Sequence, residues 1–243
     1  DWGASTAPVN GNLYIKSANS AVSGNLNVTA TTGNITQGGV ALTVGGTSSF
    51  TTSANNADIT LNNANAFTGA VSLNTTGSTG NATIDNGTTA LIIAQSSVGG
   101  NLTLTSGHAS GITDSGTVTV GGNLAATTDA NSGVINLGTL AVDGTVALTT
   151  NGTGAATVVN DAGLNFAAST VGGALSATAT TGNMTDSGAL TIAGTSSFAT
   201  SASGADITLN TTTNAFTGAV ALNTTGSRGD ATIDGGTTAL AIG

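Results

Sequence analysis

The sequence predicts an all-β protein, a right-handed parallel β-helix (β-solenoid) with three faces and about nine turns. Three observations lead to this fold class. A segment of about 74 residues recurs three times, as in stacked repeat architectures. Each copy contains short runs in which apolar and polar residues alternate, and clusters of Gly, Asn and Ser separate these runs.

The long repeat is marked by one phrase, VGGNLTL at residues 98–104, which returns in altered form at 22–28 and 171–177. We therefore expect three long repeats at approximately 22–97, 98–170 and 171–243, which form a single β-helical domain over 22–243. Residues 1–21 lie outside the pattern and are expected to form an irregular N-terminal segment or a cap. Repeats at fixed spacing bury their apolar faces against their neighbours.

Each long repeat divides into shorter units of roughly 22 to 29 residues, with three short strands in each unit. A strand with one face buried shows a period of two. The residues predicted to point inward are Ile59, Leu61, Val71, Leu73, Ile207, Leu209, Val220 and Leu222, and those predicted to point outward are Thr60, Ser72, Thr208 and Ala221.

The turn signals favour a parallel coil over antiparallel hairpins. Hairpins need two-residue turns such as Asn-Gly, and this dipeptide occurs only at 10–11, 86–87 and 151–152. Whole turns resemble one another instead, because Phe50 and Phe198 share the phrase GTSSF. Parallel crossovers are right-handed in nearly all proteins, and nine turns at ~4.8 Å give a rod of roughly 43 Å.

The composition agrees with stacked strands. The chain has 37 Gly and one Pro, and its mean hydropathy is +0.25. Glycine permits tight corners, whereas proline removes a ladder donor. A disordered low-complexity segment has a similar enrichment in Gly, Ser and Asn but lacks strand periodicity and positive hydropathy, so the periodicity favours the folded coil.

The charge distribution excludes nucleic acid as a partner class, because the formal net charge is −9 and only two residues, Lys16 and Arg228, are strong cations. We do not expect a membrane-spanning protein. Among the eleven acidic residues, five Asp follow a third strand and lie close to Gly: Asp85, Asp114, Asp161, Asp186 and Asp234. A ladder of weak Ca²⁺ sites is one interpretation. The favoured one is corner chemistry, in which Asp accepts a bond from the N–H two residues on.

The sequence predicts no catalytic, cofactor-binding or metal-ligating residue, and the protein is not expected to be an enzyme or to need a cofactor. His108 is the one histidine, between Gly107 and Ala109. A Ser–His–Asp arrangement would need a carboxylate beside it, and Asp114 is the nearest in sequence. We expect an exposed loop histidine. Cys and Glu are absent, which leaves no zinc-ligand pattern.

The runs VGGNLTLTSG at 98–107 and GITDSGTVTVGG at 111–122 resemble the repeats of filamentous haemagglutinin-like, two-partner-secreted exoproteins. The phrases at 188–192 and 205–209 are similar to the same family. The resemblance covers most of the chain. It implies a very large protein at the cell surface or outside the cell, exported through an outer-membrane β-barrel transporter, with a right-handed β-helical shaft and adhesive regions.

These expectations combine into one hypothesis: a non-catalytic, rigid shaft of an adhesin-type exoprotein that works in attachment. Because Ile242 and Gly243 stop within a turn, we expect a segment cut from a longer shaft. One alternative is a filament subunit that self-associates by stacking end to end. A further alternative is a glycan- or ice-binding module that uses outward threonines such as Thr117 and Thr119. Possible partners are thus a second copy, the transporter, and a cell surface or glycan.

Overall fold

A computed structural model describes residues 12–15, 20–129 and 132–243, and all regular secondary structure in these ranges is β-strand. The strands in chain order are β1 Leu13–Ile15, β2 Ser20–Val22, β3 Leu26–Ala30, β4 Ile35–Gln37, β5 Leu42–Val44, β6 Ser48–Asn55, β7 Ile59–Leu61, β8 Ala66–Phe67, β9 Val71–Thr76, β10 Ala82–Asp85, β11 Leu91–Ile93, β12 Ser96–Val98, β13 Leu102–Ser106, β14 Ile112–Asp114, β15 Val118–Val120, β16 Leu124–Thr128, β17 Ile135–Val142, β18 Thr145–Thr149, β19 Ala156–Asn160, β20 Leu164–Phe166, β21 Ser169–Val171, β22 Leu175–Ala179, β23 Met184–Asp186, β24 Leu190–Ile192, β25 Ser196–Ser203, β26 Ile207–Leu209, β27 Ala215–Phe216, β28 Val220–Thr225 and β29 Ala231–Ile233.

The strands stack as a parallel β-solenoid, which confirms the predicted fold class. Within the described ranges they form sheets of 14, 12 and 3 strands, and the paired strands run parallel. Paired strands are about one turn apart in sequence, as when Leu102 pairs with Leu124. The chain therefore winds in one direction and lays each turn on the previous one.

The described part of the coil has about ten turns, one more than the predicted nine. The longest path of paired strands in the 14-stranded sheet runs from β1 to β29 and contains eleven strands in the described part of the chain. The prediction assumed turns of up to 29 residues, whereas some turns are shorter: Ala156 pairs with Leu175, only 19 residues later.

Strand pairing also extends into residues 1–21, which the sequence analysis expected to be irregular. Strand β1 pairs with β4, and β2 pairs with β5. Residues 1–11 and 16–19, and with them Trp2 and Lys16, lie outside the described residues.

The interior is an apolar core of stacked side chains, and the predicted inward residues occupy it. Ile59, Leu61, Val71, Leu73, Ile207, Leu209 and Val220 are buried, while the predicted outward residues are half-buried. Leu222 differs because it is only partly buried. It pairs with Phe198 on one side, and among the described residues no strand covers its other side. Burying one such side chain contributes about 1.5–3 kcal/mol.

All five phenylalanines of the chain are buried in this core. Their rings meet edge to face, with centroids 5.7 Å apart for Phe50 and Phe67 and 6.0 Å apart for Phe198 and Phe216. A third pair joins Phe166 to Phe198 at 6.3 Å. Edge-to-face pairs add about 0.5–1.5 kcal/mol beyond the burial of their area. These ring contacts therefore stabilise the packing of one face of the coil against another.

Equivalent residues of successive long repeats do not lie above one another. Three successive ladder pairs connect Leu26, Ser48, Val71 and Ile93, which completes three turns from the first repeat. The equivalent of Leu26 in the second repeat is Leu102, nine residues beyond Ile93.

The third repeat is displaced in the same way. The ladder from Leu102 passes through Leu124 and Val146 to Phe166 after three turns. The equivalent of Leu102 in the third repeat is Leu175, again nine residues farther on. With about 22 residues in a turn, each long repeat is rotated about the axis by between a third and a half of a turn.

One corner of the coil has glycine in successive turns, where the backbones approach closely. The N–H groups of Gly100, Gly122 and Gly144 donate to the carbonyls of Gly80, Gly100 and Gly122 in the previous turn, at 2.8, 2.9 and 3.1 Å. A Cβ added at Gly122 would lie 2.5 Å from Asn101 Oδ1 and 2.8 Å from the Gly100 carbonyl oxygen. Real Cβ atoms are essentially never found at such distances, so an alanine here would force the two turns apart.

We expect Gly122→Ala to destabilise the protein by about 1–3 kcal/mol, the usual cost of overpacking against groups that cannot move. Gly138→Ala is the matched control, because an added Cβ there meets nothing within 4 Å. It should change the stability by less than about 1 kcal/mol. Urea denaturation followed by circular dichroism measures both. Equal midpoints for the two variants would contradict the proposed close approach.

Candidate functional site

Two of the five corner aspartates form the local turn that the sequence predicts. Asp85 Oδ1 accepts the N–H of Gly87 at 2.8 Å, and Asp234 Oδ1 accepts the N–H of Gly236 at 2.7 Å. In both cases the donor lies two residues on, as in an Asx-turn. These carboxylates therefore hold their own corners.

Asp114 and Asp186 act across turns instead, which the sequence analysis did not foresee. The Asp114 carboxylate accepts the N–H of Gly138 at 3.1 Å and the N–H and hydroxyl of Thr139 at 2.7 and 2.8 Å. Asp186 receives the N–H of Asn210 at 3.0 Å and the side-chain amide of Asn214 at 2.7 Å. Each carboxylate thus fastens one turn to the next.

Asp161, the fifth of these residues, has an exposed side chain, and its carbonyl accepts the hydroxyl of Thr181 at 2.8 Å. Calcium sites need several oxygen ligands that converge on one point. Within residues 12–15, 20–129 and 132–243 there is no cluster of three or more His, Cys, Asp or Glu side chains that could hold a metal ion.

His108 is exposed at the corner after β13. Its Nδ1 accepts the N–H of Ser110 at 3.0 Å. In a Ser–His–Asp arrangement that nitrogen carries a proton and donates it to the carboxylate. Here Nδ1 is an acceptor, and the Asp114 carboxylate is engaged with Gly138 and Thr139. The residues considered for catalysis thus bond to backbone groups at separate corners.

The most extensive polar feature is a ladder of side-chain carbonyl and carboxyl oxygens along one corner, which we call the Asn ladder. In each step an Oδ1 atom accepts the backbone N–H of the equivalent residue one turn on, at 2.8 or 2.9 Å. Its first stretch comprises Asn12, Asn34, Asp58, Asn81, Asn101 and Asn123, and ends on the N–H of Thr145. Its second stretch comprises Asn183, Asp206 and Asp230.

The Asn ladder has a sequence signal that the analysis of the repeats did not use. Each member is preceded in the sequence by Gly or Ala, as in Gly100-Asn101 and Ala57-Asp58, and each member from Asn34 to Asp206 is followed by a buried apolar residue such as Leu102. The small residue permits the close approach of turns, and the Asn or Asp oxygen satisfies an N–H that precedes the strand. A search for this Gly/Ala-Asn/Asp-apolar pattern would have located the corner.

Buried amides form a second polar feature, in which a side chain replaces a missing strand partner. Asn160 Oδ1 accepts the Val142 N–H at 2.8 Å, and its Nδ2 donates to the carbonyls of Val142 and Gly163 at 3.0 and 2.7 Å. Asn86 bonds both backbone groups of Phe67 in the same manner. Such amides satisfy buried backbone groups where the ladder is interrupted.

Threonine columns cover part of the lateral surface. The pair Thr117 and Thr119 is exposed, but Thr119 is flanked along the axis by Ser97 and Ala141. A longer in-register column, which the sequence analysis did not identify, consists of Thr105, Thr127, Thr149, Thr170 and Thr191. The last three members are exposed. This threonine column places one hydroxyl per turn on the surface.

A shallow lateral groove with a volume of about 390 Å³ lies on another part of the surface. Its lining residues are Ala155, Ala156, Thr157, Ala174, Leu175, Ser176, Thr195, Ser196, Ser197, Ala219, Ala221 and Gly243. None of their side chains is titratable, so the side chains offer shape and hydroxyl groups rather than acid–base chemistry. In the described ranges there is no helix of the length and hydropathy that a bilayer crossing requires.

Comparison with protein families gives three matches to one family model, described as repeats of unknown function (DUF5649). The matches cover residues 5–74, 79–135 and 153–223, well over half of the chain. The chain belongs to this family. The matched segments begin 74 residues apart. The comparisons with curated proteins and with solved structures found no match.

We expect Asn101→Ala to cost about 1–2 kcal/mol, because the N–H of Asn123 loses its acceptor. Asn101→Asp keeps an acceptor oxygen, as Asp58 does naturally, and should cost less. Asn62 is exposed and takes no part in the ladder, so Asn62→Ala should lie within about 0.5 kcal/mol of the parent chain. Denaturation midpoints provide the comparison. If Asn101→Ala were as stable as Asn62→Ala, the ladder would have no stabilising role.

Asn160→Ala should cost about 2–4 kcal/mol, since it leaves buried backbone groups of Val142 without partners and opens a cavity. Asn165→Thr provides the contrast, because Asn165 Oδ1 is buried without a hydrogen-bond partner. Thr145 and Thr185 are the strand partners of Asn165 in the two neighbouring turns. Threonine therefore fits at this position, and we expect an unchanged or higher melting temperature. If Asn165→Thr lost stability and Asn160→Ala did not, the stabilising role assigned to Asn160 would be wrong.

Proposed function

We propose that this chain is a structural shaft, a rigid segment of a large secreted or cell-surface protein of the adhesin type that works in attachment. The observation that supports it is the use of the polar side chains. Four of the five corner aspartates accept backbone N–H groups of their own or the next turn, as Asp85 does, and so do the Oδ1 atoms of the Asn ladder, as that of Asn101 does. These polar side chains thus hold turns together.

The dimensions of the coil suit that role. About ten turns at ~4.8 Å give a rod of roughly 48 Å, with a dry core and side-chain bonds between turns. The resemblance of residues 98–122 to filamentous haemagglutinin-like repeats points in the same direction. A shaft of this kind separates an adhesive region from the cell surface and is exported through an outer-membrane β-barrel transporter.

The test uses cells that make the parent protein. Duplication of residues 98–170 in the parent adds one long repeat, about three and a third turns or ~16 Å. A shaft predicts that the chain is accessible to antibody on intact cells or in the medium, and that attachment survives the longer rod. Retention of the chain inside the cell, or loss of attachment with a correctly folded and exported duplication, would refute the proposal.

The threonine column favours a second candidate, a glycan-binding lateral surface. Thr149, Thr170 and Thr191 present hydroxyl groups at the spacing of the turns, which suits a polymer lying along the axis. Thr170→Lys, at an exposed site, should leave a shaft unaffected in stability and attachment. If instead Thr170→Lys abolished attachment and glycan-array binding while the melting temperature stayed the same, the lateral surface would be the functional site.

A further inference from the structure

The sequence contains three Asn-Gly dipeptides, of which Asn10-Gly11 lies outside the described residues. The structure places the other two, Asn86-Gly87 and Asn151-Gly152, in very different surroundings. We propose that Asn151 is a site of spontaneous chemical modification, through a succinimide formed with Gly152, and that Asn86 is protected from the same reaction. The reaction needs the backbone nitrogen of the following residue to reach the side-chain Cγ, and glycine hinders this approach least.

The corner at Asn151 brings the reacting groups together in water. Asn151, Gly152 and Thr153 are all exposed. The Gly152 nitrogen lies 2.9 Å from Asn151 Oδ1, so it is close to the Cγ to which that oxygen is bonded. The leaving group is held weakly, by one bond of 3.4 Å from Nδ2 to the Asp129 carbonyl.

The reaction balances with water as the only co-reactant. The Gly152 nitrogen loses its proton and bonds to Asn151 Cγ, the Cγ–Nδ2 bond breaks, and the side-chain nitrogen leaves as ammonia. The five-membered succinimide then adds water at either of its two carbonyls. Cleavage of one C–N bond gives aspartate, and cleavage of the other gives isoaspartate, in which the backbone runs through the former side chain.

The corner at Asn86 opposes each of these steps. Asn86 is fully buried, and its Nδ2 donates to the carbonyls of Phe67, Thr89 and Ala90 at 3.1, 3.2 and 2.9 Å. The Gly87 nitrogen donates to Asp85 Oδ1 at 2.8 Å and so bonds away from Asn86. Reaction therefore requires this turn to open, which the neighbouring turns resist.

Modification would change the corner at Asn151 in two ways. The donor to the Asp129 carbonyl is lost, and a carboxylate takes its place in a chain that already carries a formal net charge of −9. The isoaspartate product also lengthens the backbone by one atom. Both changes loosen the contact between two turns, so the reaction would act as a slow marker of age on a long-lived protein.

The experiment incubates the full chain at mildly alkaline pH and 37 °C and maps the products by mass spectrometry. Because Lys16 and Arg228 are the only trypsin sites, a non-specific protease is used for the digest. We expect deamidation at Asn151 to exceed that at Asn86 by roughly 100-fold in the folded protein. In urea the two sites should react at similar rates. Asn151→Gln is the control variant and should remove the main product, since the larger ring forms far more slowly.

Two results would overturn the proposal. One is equal deamidation of Asn86 and Asn151 in the folded protein. The other is an intact Asn151 in the folded protein after a period in which the chain in urea is converted at both sites. Neither result depends on the function of the chain, so the proposed shaft is tested separately.

Discussion

The fold depends on one constraint: every turn must lie one strand spacing above the last, with its backbone N–H groups bonded to the turn beside it. In the strands the parallel ladder meets this requirement. At the corners the ladder is interrupted, and the Asn ladder takes over, because Oδ1 of Asn101 supplies the acceptor that the N–H of Asn123 needs. The buried amide of Asn160 does the same for Val142 inside the coil.

This constraint explains the unusual composition. Each turn needs small residues where backbones meet, acceptor side chains at the corners, apolar residues inside and short β-branched residues outside. Glycine, asparagine, aspartate and threonine meet the corner and surface needs with little bulk. Charged side chains repeat poorly at ~4.8 Å, since like charges directly opposite destabilise a sheet. Where two aspartates are consecutive in the Asn ladder, as with Asp206 and Asp230, the carboxylate of the first accepts the N–H of the second.

The sequence was sufficient for the fold class, because alternation is a local signal. Val71 and Leu73 are buried as predicted, because alternation places both on one face of the strand and their apolar side chains favour the interior. The number of turns was underestimated because corner lengths vary and carry no local signal, as the 19-residue step from Ala156 to Leu175 shows. The polar network was missed for another reason: the acceptor in Asn101 and its donor in Asn123 are 22 residues apart, and their contact depends on the register of the coil.

Because each long repeat is rotated about the axis, residues that repeat in the sequence do not repeat along one side of the surface. Leu26, Leu102 and Leu175 are equivalent in sequence. Three turns after Leu26 the ladder reaches Ile93, nine residues before Leu102, and three turns after Leu102 it reaches Phe166, nine residues before Leu175. Their outward neighbours therefore point in different directions. The threonine column arises from non-equivalent positions, since Thr105 and Thr127 follow one another within a single repeat. The regular spacing of this column is therefore not a property of the long repeat. The repeats share their inward and corner residues, which hold successive turns together. This favours a structural role, in which the stacked turns themselves perform the function.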